Sequence, residues 1–330
     1  MSISQEIVLE AQPRTLAPGF SRLFTMGRLL LALPGLGALH PTLRRVSAVA
    51  EPARRLSIRP FPENPAHERG AGITILSANL WHDWPRYRRL EERLDDFSRL
   101  VEAHRADIVL LQEVARTPRL RADEWLSKRL GMAYVYSRAN GHEQKIGFEE
   151  GVAIFSRFPL HQPLLQELGD QRNPFVRRLA LGITAETHLG RLKAFSVHLG
   201  LARRQNAAQL AHLRSWVAEQ AGELPALVGG DFNAREGTSQ IRQAQSAWLD
   251  PFRRLHPLAA GFTHELHWPW GAVLHRSRLD YIFLRSGARP WQVVEARPIE
   301  GPGKPHSDHQ AVLVRLLPGF REEPTVQSAD

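Results

Sequence analysis

Apolar and polar positions along this chain follow two periods. Short apolar runs end in polar residues at Ile73-Thr74-Ile75-Leu76-Ser77-Ala78-Asn79, at Asp107 to Leu111 followed by Gln112-Glu113, at Ala194 to Val197 followed by His198, and at Ala226 to Val228 followed by Gly229-Gly230-Asp231. Runs of this length bounded by polar or turn-forming residues predict buried strands whose ends present polar side chains. Further strands are expected within Glu149 to Pro159, after a loop, and from Arg278 to Leu284, where apolar neighbours alternate around Asp280. Elsewhere the spacing changes to three and four. Leu90, Leu94, Phe97, Leu100 and Val101 put one apolar stripe on a helix within Pro85 to Arg105, and Leu210, Leu213, Trp216 and Val217 do the same on a helix starting near Arg203. Their charged faces read most simply as solvated surface. Residues 235–277 fit neither period, are rich in Trp and His (Trp248, His264, His267, Trp268, Trp270, His275), and are expected to be a long irregular binding segment. Pro269 between two tryptophans marks an exposed apolar loop, with aromatic rings folding back on the core as the alternative.

The polar strand ends carry the candidate chemistry. Asp231 and Asn233, two positions apart, can face one side, where a carboxylate handles a proton and an amide hydrogen-bonds an oxyanion. Gly229 and Gly230 permit a tight turn ahead of them, and an ordinary Gly-Asp-x-Asn turn is the alternative for that string alone. Glu113 offers the carboxylate oxygens that hard divalent cations prefer. His306-Ser307-Asp308-His309 closes the series, with Asp280 in the preceding strand as a partner for the last histidine. Because these groups must meet at one site, one large domain is expected over residues 71–318, with a C-terminal tail at 319–330.

Residues 1–70 differ and are expected to be an N-terminal extension and linker. The apolar run Leu29 to Leu39, flanked by Arg22, Arg28, Arg44 and Arg45, is shorter than the roughly 20 residues of a membrane span, and Pro34-Gly35 interrupts it. Three readings stand side by side: a secretory signal using Ala48-Val49-Ala50, a basic apolar segment resting on an anionic membrane, and a plain extension ending in a linker over 51–70 marked by Pro60, Pro62 and Pro65. Composition adds little: 43% apolar and 23% charged residues in 330 are ordinary for a globular protein. The net charge of +9, from 43 basic and 34 acidic residues, suits a polyanionic partner, either nucleic acid or an anionic membrane surface. The absence of cysteine excludes a disulfide partner, a thiolate metal site and a cysteine nucleophile. The compartment is expected to be cytoplasmic or peripheral to the membrane, with secretion as a further alternative.

In order and spacing, these strings resemble the metal-dependent endonuclease/exonuclease/phosphatase superfamily over residues 72–317. The run from Val197-His198-Leu199 to Trp216-Val217 is most similar to small stand-alone bacterial members. The resemblance implies an α/β fold, a four-layered sandwich of two mixed β-sheets flanked by helices. It further implies Mg²⁺ or Mn²⁺ held by Glu113 with Asn79 and Asp308, a phosphate-binding His198, and His309 oriented by Asp280. Asp231 and Asn233 complete the implied catalytic set, and Glu150 is a candidate to orient His198. Exonuclease III-like members carry an acid two residues after the first-strand Asn, where this chain has Trp81, which weakens a DNA-repair analogy. The implied activity is hydrolysis of a phosphodiester by in-line water attack. A DNA or RNA nuclease and a phosphate-binding module without catalysis are the alternatives, and phospholipid or nucleic acid the substrate candidates.

Overall fold

The structure is a computed structural model describing residues 5–8, 55–60, 71–169, 176–268, 270–287, 291–301 and 304–319. The strands are β1 (Gln5–Val8), β2 (Arg55–Arg59), β3 (Ile73–Asn79), β4 (Ile108–Arg116), β5 (Ala133–His142), β6 (Phe148–Ser156), β7 (Leu160–Glu167), β8 (Leu179–Thr187), β9 (Gly190–His198), β10 (Ala226–Asp231), β11 (His264–His267), β12 (Val273–Ser277), β13 (Asp280–Arg285), β14 (Trp291–Ile299) and β15 (Ala311–Pro318). The helices are α1 (Leu90–Ala103), α2 (Ala122–Leu130), α3 (Glu143–Ile146), α4 (Arg203–Ala221), α5 (Ser239–Ala247) and α6 (Pro251–Leu255).

Two mixed sheets face each other. One runs β1-β2-β5-β6-β4-β3-β15-β14, the other β13-β10-β9-β8-β7, and β11 pairs with β12 as a separate hairpin. Period-two alternation builds the layers. In β4, Ile108 and Leu110 point into the apolar layer between the sheets, where Ile75, Ile154, Leu181, Ile183, Leu227 and Ile282 meet them. Val109 and Leu111 point the other way, onto Leu94, Phe97 and Val101 of α1. In β10, Val228 faces outward with Phe195 and Phe283, against Leu210, Leu213 and Trp216 of α4. Helix, sheet, sheet and helix are therefore the four layers expected.

Gly229 and Gly230 lie inside β10, not in a turn after it. A Cβ on Gly229 would sit 2.6 Å from Leu110 Cδ1 of the facing sheet, so the glycine lets the sheets approach. Gly230 has φ +154°, and a Cβ there would lie 1.9 Å from the Val197 carbonyl oxygen of β9.

Several boundaries differ from the periodicity. Helix α1 starts at Leu90, not Pro85, because the Asp83 carboxylate accepts hydrogen bonds from the Arg88 backbone N–H (3.0 Å) and guanidinium (2.8 and 3.0 Å). That turn ends at Arg89, whose φ of 51° is incompatible with a right-handed helix. Within the expected linker, Arg55–Arg59 is a strand paired to β5, with Leu56 fully buried, and β1 pairs in turn to β2. The Leu29–Leu39 run and Ala48-Val49-Ala50 lie outside the described residues.

Residues 235–277 are mostly regular. Helix α5 is capped by Thr238, whose side chain accepts from the Ile241 N–H; α6 is capped by Asp250, accepting from the Arg253 N–H, with Pro251 at its first turn. Trp248 folds back against Phe283, whereas Trp268 and Trp270 are exposed.

Candidate active site

Strand ends bring the polar groups together. In the second sheet Asp231 stands in register with His198 of β9 on one side and Asp280 of β13 on the other. From the facing sheet, Asn79 at the end of β3 donates from Nδ2 to Glu113 Oε1 (3.0 Å) and to Asp231 Oδ2 (3.2 Å), bridging the two carboxylates. Its own Oδ1 accepts from the Trp81 N–H at 2.9 Å, which fixes the amide's direction. Glu113 has φ +54° at a register shift in the β4–β6 ladder between Leu111 and Val114. This bulge turns its carboxylate toward the mouth, where Oε2 also accepts from the His82 N–H at 3.3 Å.

Asn233, with φ +47°, binds Asp231 from the other side: its N–H donates to Asp231 Oδ1 at 2.8 Å and its Nδ2 to Asp231 Oδ2 at 3.2 Å. The same Nδ2 donates to the Leu199 carbonyl at 2.9 Å. Its amide hydrogens are thus engaged internally. The geometry gives it the positioning of Asp231 in place of the expected oxyanion contact.

His309 is held by Asp280, whose Oδ2 lies 2.8 Å from its Nδ1 and also accepts from Thr263 Oγ1 at 2.6 Å. Asp280 Oδ1 is buried without a hydrogen-bond partner among the described residues. Burial works against a charge on His309, but Asp280, Asp231 and Asp308 outweigh it and push the imidazole up to about 10. Its two neighbours are each shifted toward the neutral form. Burial, reinforced by Arg178, His309 and His82, holds His198 well below its usual 6.5, so this ring is neutral. Asp231 is held above the usual carboxylate range by burial first and by Asp280 next, against the opposing His309 charge and Asn233 N–H.

Glu150 does not take the expected place beside His198. Its carboxylate accepts from Asn140 Nδ2, while His198 Nε2 lies 3.6 Å from Asp231 Oδ2. Asp308 stands exposed at the rim, with Ser307 Oγ donating to it at 3.3 Å.

Four contributors escaped the sequence patterns. His82 follows β3 in a loop, and its Nε2 lies 3.4 Å from Glu113 Oε2. Thr263 ties Asp280, and His264 lies with its ring 4.6 Å from that of His309. Arg178 places its charge near both Glu150 and His198. None sits at the end of an apolar run, and only His264 falls in a segment that the sequence singles out, the Trp/His-rich one, without a role.

The donor chemistry fits a divalent cation. Glu150, like Asp231, is held above the usual carboxylate range, by burial first and then by the Glu113 charge. A site whose buried carboxylates raise one another's proton affinity is one that a cation relieves. Glu113 and Asp308 offer the oxygen donors that Mg²⁺ and Mn²⁺ accept. Asp231, Asp280 and His309 place ligand atoms within 4.8 Å of one another, and so do His264, Asp308 and His309.

Residues 76–309 match the Endonuclease/Exonuclease/phosphatase family. The uncharacterized protein YbhP of Escherichia coli (strain K12) is 26% identical over 236 residues, covering 65% of this chain and 85% of YbhP. A solved endonuclease/exonuclease/phosphatase family protein from Leptotrichia buccalis C-1013-b has a similar fold, at TM-score 0.62 and 18% identity over 74% of this chain and 99% of that one. The human Nocturnin catalytic domain with bound sulfate anion is similar at TM-score 0.59 and 19% identity, covering 77% of this chain and 97% of that chain. So is D. rerio TDP2 complexed with single strand DNA product, at TM-score 0.59 and 19% identity over 75% and 99%. The match runs from inside β3 to His309 and takes in each strand end that converges on Asp231, so the chain belongs to the endonuclease/exonuclease/phosphatase family, whose fold is that of metal-dependent phosphoesterases.

Proposed function

We propose that this chain is a phosphodiesterase that hydrolyses its substrate by in-line attack of water, using Mg²⁺ or Mn²⁺. The feature that supports it most is a pair of groups of raised proton affinity facing one space: His309, raised by Asp280, and Asp231, raised by its burial and by Asp280 while Asn79 and Asn233 fix its position. A histidine that is already an imidazolium cannot take a proton, so the base is Asp231. Its raised affinity brings it nearer the working pH, where proton abstraction from water is most effective. His309, with Nδ1 committed to Asp280, donates from Nε2 to a phosphoryl oxygen and stabilises charge that grows in the transition state. His198, neutral and beside Asp231, contributes a second hydrogen bond at the phosphate. Glu113 and Asp308, with Asn79 holding Glu113, are the residues that would hold the cation, which supplies neutralisation of charge on the phosphoryl oxygens.

Hydrolysis of bis-p-nitrophenyl phosphate with added Mg²⁺ or Mn²⁺ tests this reading. Asp231→Asn should lower turnover by about 10²–10⁴-fold, and removing the His309 donor should cost about 2.7–4 kcal/mol of barrier. Absence of metal-dependent turnover, or an Asp231→Asn variant as active as the wild type, overturns it. A nuclease is the second reading, supported by the groove lined by Trp125, Arg119 and Lys128, where Arg121 and Arg129 are already ion-paired to Glu124, Glu143, Asp95 and Glu102. Cleavage of DNA or RNA that weakens steeply with salt would favour it over a small or lipid substrate.

A further inference from the structure

The β11–β12 hairpin leaves the body of the protein at the active-site mouth and is apolar where it should be polar. Leu266, Trp268, Trp270, Val273 and Leu274 are each between 41% and 73% exposed. The Trp268 and Trp270 rings stack on each other at 4.8 Å with an interplanar angle of 6°, so the tip is a preformed aromatic face. Its root is the catalytic centre itself. Thr263 donates to Asp280 at 2.6 Å, the Gln310 N–H donates to the Thr263 carbonyl at 2.7 Å, and His264 forms a single backbone bridge with His309.

We propose that this hairpin is an interfacial anchor that seats the mouth of the site on an anionic phospholipid surface, making a membrane-lipid phosphodiester the substrate class. The substrate half of the proposal rests on the phosphodiesterase reading above; the surface half stands on the hairpin alone. Three features select this occupant. Trp at the tip with Leu and Val behind it is the composition that sits at the boundary between headgroups and acyl chains. A surface for nucleic-acid bases needs the aromatic rings but not exposed aliphatic side chains. The chain's net charge of +9 complements an anionic surface. The dimensions agree as well: four residues of strand carry the tip about 13 Å from the root. Interfacial apolar groups bury about 5–10 Å into the boundary, which leaves the hairpin root, where His264 bridges to His309, near the level of the headgroup phosphates.

The test is sedimentation of the full chain, in chelator and without turnover, with vesicles of equal parts phosphatidylcholine and phosphatidylserine. The wild type should bind, and the Trp268→Ala/Trp270→Ala variant should partition at least about tenfold less. Leu274→Asp, a second exposed position, should lose binding in the same way. Both variants should keep wild-type turnover of bis-p-nitrophenyl phosphate, a soluble diester that does not need the anchor. Failure of the wild type to bind, or variants that partition like it, overturns the proposal. So does tryptophan quenching in the wild type by a single-stranded oligonucleotide and not by brominated lipid. Because binding is read without hydrolysis, loss of the catalytic reading and loss of the anchor give different results.

Discussion

Asp280→Asn is the substitution that most directly interrogates the electrostatics of the site. Asparagine keeps the shape of the side chain, and an amide oxygen in the place of Oδ2 still accepts from Thr263 Oγ1 and His309 Nδ1, which lie at 2.6 and 2.8 Å. What it removes is the charge. His309 is carried from 6.5 to about 10 in the folded protein. At about 1.36 kcal/mol per pH unit this corresponds to at most about 5 kcal/mol, shared among three carboxylates. Losing one partner of a buried pair costs about 3–5 kcal/mol, which is of the same size. A second, pH-independent cost arises at Asp280 Oδ1, buried and unpartnered among the described residues, where the new NH₂ finds no acceptor. That adds about 1–3 kcal/mol.

The two costs separate by pH. Because the folded-state value of His309 lies above its unfolded value, its stabilisation is fully present below pH 6.5 and is lost as pH rises through about 10. Urea unfolding of wild type and Asp280→Asn in chelator, at several pH values across that window, should show a stability gap that is widest at the acidic end and narrows steadily toward the alkaline end. The residual gap at high pH measures the unpartnered amide. A gap that stays constant across the window refutes the reasoning, since His309 would then not owe its charge to Asp280.

Other perturbations test the scaffold around this pair. Gly230→Ala forces a Cβ to within 1.9 Å of the Val197 carbonyl at φ +154°; strain and overpacking together should cost roughly 2–5 kcal/mol in urea unfolding. Asn79→Ala removes the donor shared by Glu113 and Asp231, and calorimetric titration should show Mg²⁺ affinity about 10–100-fold weaker. Asp250→Ala removes the carboxylate bonded twice to buried Arg278 at 2.8 Å and leaves it only Glu236 at 3.2 Å; it should destabilise the protein, by less than the roughly 3–5 kcal/mol of a fully orphaned buried charge, with little effect on metal affinity.

The parts legible in the sequence were those whose cause is local. Ile108 and Leu110 against Val109 and Leu111 is a run apolar on both faces, and it lies in the sheet buried on both faces. Asn79, His198 and Asp231 stand out because each ends such a run. Local cues were also missed where composition masked them. Leu56 and Ile58 alternate with Arg55, Ser57 and Arg59, a strand pattern overshadowed by the prolines at 60, 62 and 65. Thr238 and Asp250-Pro251 are helix-start signals lost among tryptophans and histidines.

What could not be read has a tertiary cause. The two glycines of β10 look like a turn, because nothing nearby in sequence reports that Leu110 crosses one and the Val197 carbonyl abuts the other. No sequence cue marks the left-handed backbone of Glu113, a residue type that seldom adopts it, and the strain persists because the β4–β6 bulge and the Asn79 amide both hold the side chain. Position in the sequence alone pairs Glu150 with His198, but Asn140 faces it across the β5–β6 ladder and binds the carboxylate. For the glycines and for Glu113 the partner came from a strand distant in sequence, whereas Asn140 lies only ten residues from Glu150, on the neighbouring strand. The raised proton affinities of His309 and Asp231, on which the proposed chemistry rests, therefore arise from the converged sheets and from no single motif.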